Sequence, residues 1–175
     1  VALPIVLPPT VLGFYLLIFL GPQGSVGKLV SYLGGPSLIF SFTGLVIGSI
    51  VYSMPFVIQP LQHAFSVIDK RADETAATIG FSRLRRFFYL FLPLSKTGYL
   101  SAFVLGFAHT LGEFGIVLMI GGNIPGETQV ASISIYNYVE MLEYDKAHTL
   151  SLLLLLISFT LLAIIYSLRI RFGRY

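Results

Sequence analysis

Two ionisable side chains within an apolar stretch are the first candidates for chemistry. His109 and Glu113 are four residues apart, so on a helix they share one face and can hydrogen-bond to each other. A carboxylate inside a membrane span costs about 2.5–3.5 kcal/mol on insertion scales, and it therefore usually faces a cavity or a partner. Glu113 is predicted either to line a pathway or gate, or to form a structural hydrogen bond between helices.

Other chemically competent residues do not form a recognisable site. The sequence contains no cysteine, which excludes disulfides and thiolate metal sites. His63 and His148 have no neighbours at metal-ligand spacing, so no metal site is expected. A GxxxxGK[ST] phosphate-binding motif is absent, as is a Ser/His or paired-Asp set for hydrolysis within the membrane. We therefore expect a chain that is not an enzyme and binds no cofactor itself.

The composition is that of a protein surrounded by lipid. Of its 175 residues, 55% are hydrophobic and only 11% are charged, whereas soluble domains carry about 25% charged residues. The net charge of +3 is small, and the basic residues do not form a patch with interleaved aromatic residues, so no nucleic-acid partner is expected. The sequence predicts an all-α integral membrane protein in which residues 1–175 form a single transmembrane domain.

Four stretches are long and apolar enough to cross a membrane as helices. They are residues 1–20, 38–62, 97–120 and 150–168. In the first, Pro4, Pro8 and Pro9 allow a continuous helix only from about Thr10 onward. The third is interrupted by Glu113. Because the chain opens inside an apolar run without a methionine, we expect a fragment that lacks one or more N-terminal spans.

The distribution of basic residues predicts the orientation of the spans. Residues 63–96 hold six Lys or Arg residues, and only Lys28 and Lys146 lie in the other two loops. The tail after Leu168 adds Arg169, Arg171 and Arg174. Cytoplasmic loops are enriched in Lys and Arg. The 63–96 loop and the C-terminus are therefore predicted to be cytoplasmic, and residues 121–149 extracytoplasmic, in a multi-pass protein of the cell membrane.

The 63–96 loop is predicted to contain two helices around a glycine. Asp69 and Ser82 can each accept hydrogen bonds from the free amides that begin a helix. Gly80 can end the first helix in a left-handed conformation that a β-carbon would penalise. The side chains predicted to face the helix bundle are Leu84, Phe87, Phe88 and Phe91. A connection needs only two to eight residues, so a longer loop with capped helices predicts a docking surface rather than a simple turn.

This loop resembles the ATPase-docking signature of ABC-type importer permeases. The signature reads Glu-Ala-Ala, three residues, Gly, nine residues, then Ile-x-Leu-Pro; the matching positions hold Glu74, Ala76, Gly80, Leu92 and Pro93. Thr75 and Leu90 are mild departures from it. The resemblance implies that the helical pair seats in a cleft of a cytoplasmic ABC ATPase, which binds and hydrolyses ATP, and transmits its closure to the spans. The residues expected to dock are Asp73, Glu74, Ala76, Ala77, Gly80, Arg83 and Pro93.

Small residues recur at intervals of four in two of the spans. They are Gly44 and Gly48 in the second span, and Gly98, Ala102 and Gly106 in the third. Such faces allow two helix backbones to approach closely. We predict that they are packing seams, either within the subunit or against a partner subunit.

Two further stretches resemble the molybdate branch of the molybdate/sulfate importer permeases. They are LPIVLPP at residues 3–9 and LGEFGIVLMIGGNIPGETQ at residues 111–129, and the similarity extends over essentially the whole chain. It implies a channel subunit for a tetrahedral oxyanion: molybdate or tungstate first, sulfate or thiosulfate second. It also implies a permease homodimer with two ATPase subunits and an extracytoplasmic oxyanion-binding protein.

The predicted extracytoplasmic loop contains two features of interest. Gly121, Gly122 and Asn123 begin it, and glycine-rich backbone of this kind can present amides to an oxyanion or simply form a tight turn. Further along, Ile133, Tyr136, Val139 and Leu142 recur at helical spacing, which predicts a short amphipathic helix.

Two other classes of protein compete with the importer permease. A secondary transporter driven by an ion gradient would be favoured by inverted repeats and paired ionisable groups near the midplane, and only His109 with Glu113 approaches that pattern. An intramembrane enzyme is the third class, and it has no visible catalytic set. An adjacent gene encoding an ATPase would favour the permease.

Overall fold

The computed structural model describes residues 3–172, and it describes side chains as far as residue 167. Val1 and Arg174 lie outside the described residues, and the side chains of Arg169 and Arg171 lie outside the described side chains. The helices are α1 (Leu3–Val6), α2 (Pro9–Leu20), α3 (Ser25–Tyr32), α4 (Phe42–Ser66), α5 (Lys70–Thr78), α6 (Arg83–Arg86), α7 (Leu92–Leu94), α8 (Lys96–Leu111), α9 (Gly115–Gly121), α10 (Ala131–Glu140) and α11 (Tyr144–Phe172). A π-helical turn, Phe87–Phe91, joins α6 to α7. The predicted all-α class is confirmed.

Three helical segments of the described chain are long and apolar enough to cross a membrane. They are Pro9–Tyr32, Phe42–Ser66 and Tyr144–Ser167. A fourth candidate is a helix pair, Arg83–Leu94 with Lys96–Leu111, which is bent by 71°. Three to four candidate spans therefore agree with the predicted membrane class, although one of the four is a bent pair rather than a straight helix.

The third predicted span differs most from the sequence-based expectation. Its helix α8 ends at Leu111, and a separate helix α9 begins at Gly115. Gly112 and Gly115 flank the break, and glycine is a poor helix former because it loses the most backbone freedom on folding. The predicted interruption at Glu113 is thus a complete break in the helix.

The other predicted spans are shifted or extended. Helix α4 begins at Phe42 and continues through Pro55 and Pro60 to Ser66, since spans tolerate proline when neighbouring groups satisfy the freed carbonyl oxygens. Helix α11 begins at Tyr144, because the preceding loop ends earlier than predicted.

The chain divides into two compact units, which we describe separately. The first contains its described residues up to 55 together with residues 108–159. Its core is formed by Leu45, Val117 and Ile133, with Phe114, Leu118 and Val130 packed against them. In this unit, α9 packs on α2, and Gly13 lies against Met119. Ile133 is fully buried, whereas Val139 and Leu142 of the predicted amphipathic face are exposed, so that face is buried only at its beginning.

The second unit contains residues 56–107 and the chain from 160 onward. Phe65 is surrounded there by the rings of Phe87, Phe91 and Tyr99, at centroid distances of 6.4, 6.3 and 6.0 Å. The prediction that Leu84 and Phe88 face the bundle is wrong, because they are 72% and 57% exposed. Phe87 and Phe91 lie on one stripe of the helix, and Leu84 and Phe88 lie on the neighbouring stripe, which Phe65 does not reach.

The five small residues of the predicted packing seams are all buried. In the first unit, a β-carbon at Gly44 would overlap the carbonyl oxygen of Leu38, and one at Gly48 would lie 2.6 Å from Ile120 Cδ1. In the second unit, a β-carbon at Gly98 would overlap that of Ala64, and one at Gly106 would lie 2.6 Å from Val57 Cγ2. These contacts are within the chain, which supports packing inside the subunit.

Candidate functional site

The helical pair of residues 70–94 is built from local capping interactions. The Asp69 carboxylate accepts a hydrogen bond from the Arg71 amide at 2.9 Å, and the Ser82 hydroxyl accepts one from the Arg85 amide at 3.3 Å. Gly80 follows α5 with a φ of 91°. In this region of φ a β-carbon is strained, which is why glycine is favoured. Both predicted caps and the left-handed glycine are confirmed.

Two side-chain interactions hold this helical pair together. Arg86 of α6 donates to Asp73 of α5 at 2.8 Å, which ties the two helices across the glycine turn. The guanidinium of Arg85 lies over the rings of Phe81 and Tyr89, at 4.5 and 5.8 Å from their centroids. Both interactions lie within the pair, so its shape is fixed by its own residues.

Most of the predicted docking residues lie on the exposed surface of the pair. Those exposed are Glu74, Ala77, Gly80, Arg83 and Pro93, and Ala76 is half-buried. Around Gly80, no atom lies within 4 Å of the position that a β-carbon would occupy. Asp73 differs from the others, because its carboxylate binds Arg86 and only 34% of its side chain is exposed. The sequence did not reveal this internal role, since Asp73 and Arg86 are thirteen residues apart.

We expect Asp73→Asn to loosen the helical pair. The substitution removes the partner of Arg86, whose Nε is already buried without a hydrogen-bond partner among the described residues. The ion pair between Asp73 and Arg86 is partly exposed, so its loss is expected to lower the free energy of unfolding of the helical pair by about 1 kcal/mol. Limited proteolysis of the 63–96 loop should be about fivefold faster in Asp73→Asn than in the parent. Asp69→Asn, which keeps a capping side chain and removes the same charge away from the brace, is the matched control. Equal proteolysis rates for Asp73→Asn and the parent would contradict the predicted brace.

In the first unit, a polar cluster joins α4 to the end of α8. The Ser53 hydroxyl lies 3.0 Å from His109 Nδ1 and 2.9 Å from Thr110 Oγ1. The ring of Tyr52 packs on His109 with centroids 4.6 Å apart. Of these residues, only His109 was predicted from the sequence as a candidate. Polar residues at 49, 52 and 53 within an otherwise apolar span were the signal that could have revealed the cluster.

Glu113 occupies the break between α8 and α9. Its side chain is buried, with 5% of the residue exposed, and its carboxyl group interacts with the Ser49 side chain of α4 without a hydrogen bond of normal geometry. The predicted bond to His109 is not formed, because the helix that would have brought the two side chains together ends at Leu111. The Glu113 carbonyl oxygen instead accepts a hydrogen bond from Ser132 at 2.6 Å. In the described part of the chain, no group of three or more His, Asp or Glu side chains is arranged to hold a metal.

The glycine-rich segment after α9 forms a tight turn with its own hydrogen bonds. Thr128 Oγ1 donates to the Gly121 carbonyl at 2.6 Å and accepts from the Ile124 amide at 3.0 Å. The Gly122 amide donates to Leu118, and the side-chain amides of Asn123 and Asn137 bind each other reciprocally at 3.1 Å. These internal bonds support the tight-turn alternative for this segment.

Apolar spans together with an exposed, internally braced helical pair define a multi-span membrane protein. A family model for the inner membrane component of binding-protein-dependent transport systems matches residues 1–172. The chain belongs to this family.

Its relatives include permeases of two kinds. The molybdenum transport system permease protein ModB of Azotobacter vinelandii is 52% identical over 169 residues, which are 97% of this chain and 75% of that protein. ModB of Haemophilus influenzae is 41% identical over 138 residues, or 79% of this chain. The probable sulfate transport system permease protein cysT of Chlorella vulgaris is 37% identical over 165 residues, or 94% of this chain. The chain spans 60% of the length of the Haemophilus protein and 62% of the Chlorella protein.

Proposed function

We propose that this chain is part of the membrane-spanning permease subunit of an ATP-driven importer whose cargo is molybdate. Two copies of the permease would form the channel in the cell membrane, with the 63–96 loop and the C-terminus on the cytoplasmic side. ATP would be bound and hydrolysed by separate ATPase subunits, and an extracytoplasmic oxyanion-binding protein would deliver the cargo.

The exposed surface of the helical pair is the observation that supports coupling to an ATPase. Glu74, Ala77 and Gly80 present a small, weakly charged face, and the open space around Gly80 leaves room for close approach of a partner. The brace between Asp73 and Arg86 makes the pair a stiff unit, which can transmit a displacement instead of absorbing it. Coupling requires a stiff segment that is connected directly to a membrane helix. The helical pair meets this requirement because it leads straight into α8.

The identity of the cargo is supported by similarity to relatives. The permease with 52% identity is named as a molybdenum transporter, whereas the sulfate permease of Chlorella vulgaris is 37% identical. Sulfate and molybdate are both tetrahedral dianions, so a channel of this kind accepts either shape, and sulfate is the second candidate. Selection between the two oxyanions is assigned to the extracytoplasmic binding protein.

Transport by the reconstituted assembly tests this proposal. The full-length permease, its ATPase and its binding protein would be placed in proteoliposomes, and uptake of molybdate and of sulfate would be measured with and without ATP. Molybdate uptake that requires both ATP and the binding protein is the expected result. Uptake without ATP would identify a secondary transporter, and preferential uptake of sulfate would reassign the cargo.

Glu113→Gln is expected to slow transport about tenfold without changing the cargo. In the described conformation the carboxyl group is buried beside Ser49 without a hydrogen bond of normal geometry, which disfavours this conformation relative to one in which the group gains a full partner or water. Glutamine removes much of this difference in free energy between the two conformations. A tenfold change in the transport rate corresponds to about 1.4 kcal/mol. Molybdate uptake and the ratio of molybdate to sulfate uptake would be measured in parallel.

The exposed Glu127 in the outer turn provides the matched control for this measurement. Glu127→Gln removes the same charge from a solvated site, so its uptake rate should stay within about twofold of the parent. An unchanged rate in Glu113→Gln would exclude Glu113 from the gate. A switch toward sulfate in the same variant would show that this segment selects the cargo.

A further inference from the structure

A groove lies at the elbow where the helical pair meets α8. It has a volume of about 600 Å³ and is lined on one arm by Phe88 and Leu92 and on the other by Leu100 and Phe103. These residues recur at intervals of three or four, so the groove follows one face of the bent helix. The walls are therefore apolar along both arms, and the groove lies entirely within the second unit.

One cation and one hydroxyl interrupt these apolar walls. Lys96 and Thr97 line the groove at the elbow itself, where α8 begins. Among the described residues no acidic side chain forms an ion pair with Lys96. The groove therefore combines apolar walls with an uncompensated positive charge.

We propose that this groove binds an anionic phospholipid. The phosphate would be held by the Lys96 ammonium and the Thr97 hydroxyl, and an acyl chain would lie along Phe88, Leu92, Leu100 and Phe103. Basic pockets where transmembrane helices meet the membrane surface are suited to anionic headgroups. Lys96 ends the basic 63–96 loop and begins α8, which is otherwise largely apolar. It therefore lies where the predicted cytoplasmic loop meets a candidate membrane helix.

Charge favours a lipid over a second copy of the same segment. Residues 56–107 contain six Lys or Arg residues and three Asp or Glu residues, one of which, Asp73, is bound to Arg86. Two such segments facing each other would bring like charges together, whereas an anionic headgroup neutralises Lys96. The lipid site goes beyond the proposed transport function, because it concerns neither cargo nor ATPase.

Fluorescence quenching by brominated lipids tests the site in the complete permease–ATPase complex. This chain has no tryptophan, so Phe103→Trp places a probe of similar shape in the groove. Brominated phosphatidylglycerol and brominated phosphatidylcholine would be titrated separately into nanodiscs of unlabelled phosphatidylcholine, with the unsubstituted complex as the background. Half-maximal quenching is expected at about a fivefold lower mole fraction of phosphatidylglycerol, since one Lys contact contributes about that factor.

A second substitution separates the specific site from general lipid contact. Adding Lys96→Gln should abolish the preference for phosphatidylglycerol over phosphatidylcholine. Adding Lys28→Gln, which changes a lysine outside the second unit, should leave that preference intact. Equal half-quenching by the two lipids with Lys96 present would overturn the proposal, and so would the absence of quenching by either lipid, which would indicate that protein covers the groove. Native mass spectrometry of the complex without the tryptophan, comparing retained phosphatidylglycerol in the parent and Lys96→Gln, provides the same comparison independently.

Discussion

Gly80→Val is expected to abolish ATP-driven uptake while leaving the permease inserted in the membrane. Gly80 has a φ of 91°, which a β-branched residue cannot adopt without severe strain. Beyond the adjoining residues, no atom lies within 4 Å of the added β-carbon, so overlap of that carbon with the rest of the chain is not the cause of the expected effect. The end of α5 and the turn to α6 must reorganise instead, which misplaces Glu74 and Ala77. Uptake and ATPase activity in proteoliposomes would be measured, together with the amount of protein in the membrane.

A graded series at this position identifies backbone geometry as the cause. Asparagine tolerates left-handed φ better than alanine does, and alanine better than valine. We therefore expect uptake to fall in the order Gly, Asn, Ala, Val, with the alanine variant losing about 1–2 kcal/mol of helix-turn stability. Full uptake by the valine variant would remove the helical pair from the coupling mechanism. A loss that is equal for all three variants would indicate a steric conflict with the partner instead of backbone strain.

Gly44→Ala is expected to destabilise the fold much more than Gly48→Ala, although both are glycines one helical turn apart in α4. The added β-carbon at 44 would overlap the Leu38 carbonyl oxygen. That oxygen already accepts a hydrogen bond from Ser41 at 2.8 Å, and the Gly44 amide donates to the same hydroxyl at 3.2 Å. The Leu38 carbonyl oxygen belongs to the backbone, so a change of side-chain rotamer cannot relieve the overlap. The substitution should therefore lower the free energy of unfolding by about 3 kcal/mol.

The Gly48 variant is the matched control because its neighbours are side chains and not backbone. Its β-carbon would lie 2.6 Å from Ile120 Cδ1, which a χ2 rotation can displace, and 2.9 Å from Ile116 Cγ2, which is stiffer. The gain in helix propensity is the same for both substitutions and cancels in the comparison. Thermal unfolding of detergent-purified permease, followed by size-exclusion chromatography, should show a cost of about 1 kcal/mol for Gly48→Ala. Equal melting temperatures for the two variants would contradict the packing at Leu38.

Features that depend on nearby residues were predictable from the sequence. The caps at Asp69 and Ser82 each use an amide two or three residues away, and Gly80 adopts its left-handed conformation as part of the same short turn. The spans follow from runs of apolar residues, which must be helical because lipid cannot satisfy backbone polar groups. Local hydrogen bonding and hydropathy therefore determined the membrane class and the two-helix form of the 63–96 loop.

Features that depend on distant residues were decided only by the tertiary structure. The brace from Asp73 to Arg86 spans thirteen residues, the Asn123–Asn137 pair spans fourteen, and the bond from Ser53 to His109 spans fifty-six. The spacing of His109 and Glu113 predicted that both lie on one helical face, but the flanking glycines allow α8 to end before Glu113 and α9 to pack on α2. The sequence alone determined most of the helical segments, but not α3, because Lys28 was predicted to lie in a loop. Packing between distant segments decided where the helix breaks and which polar side chains find partners, and it buried Glu113 beside Ser49 without a hydrogen bond of normal geometry.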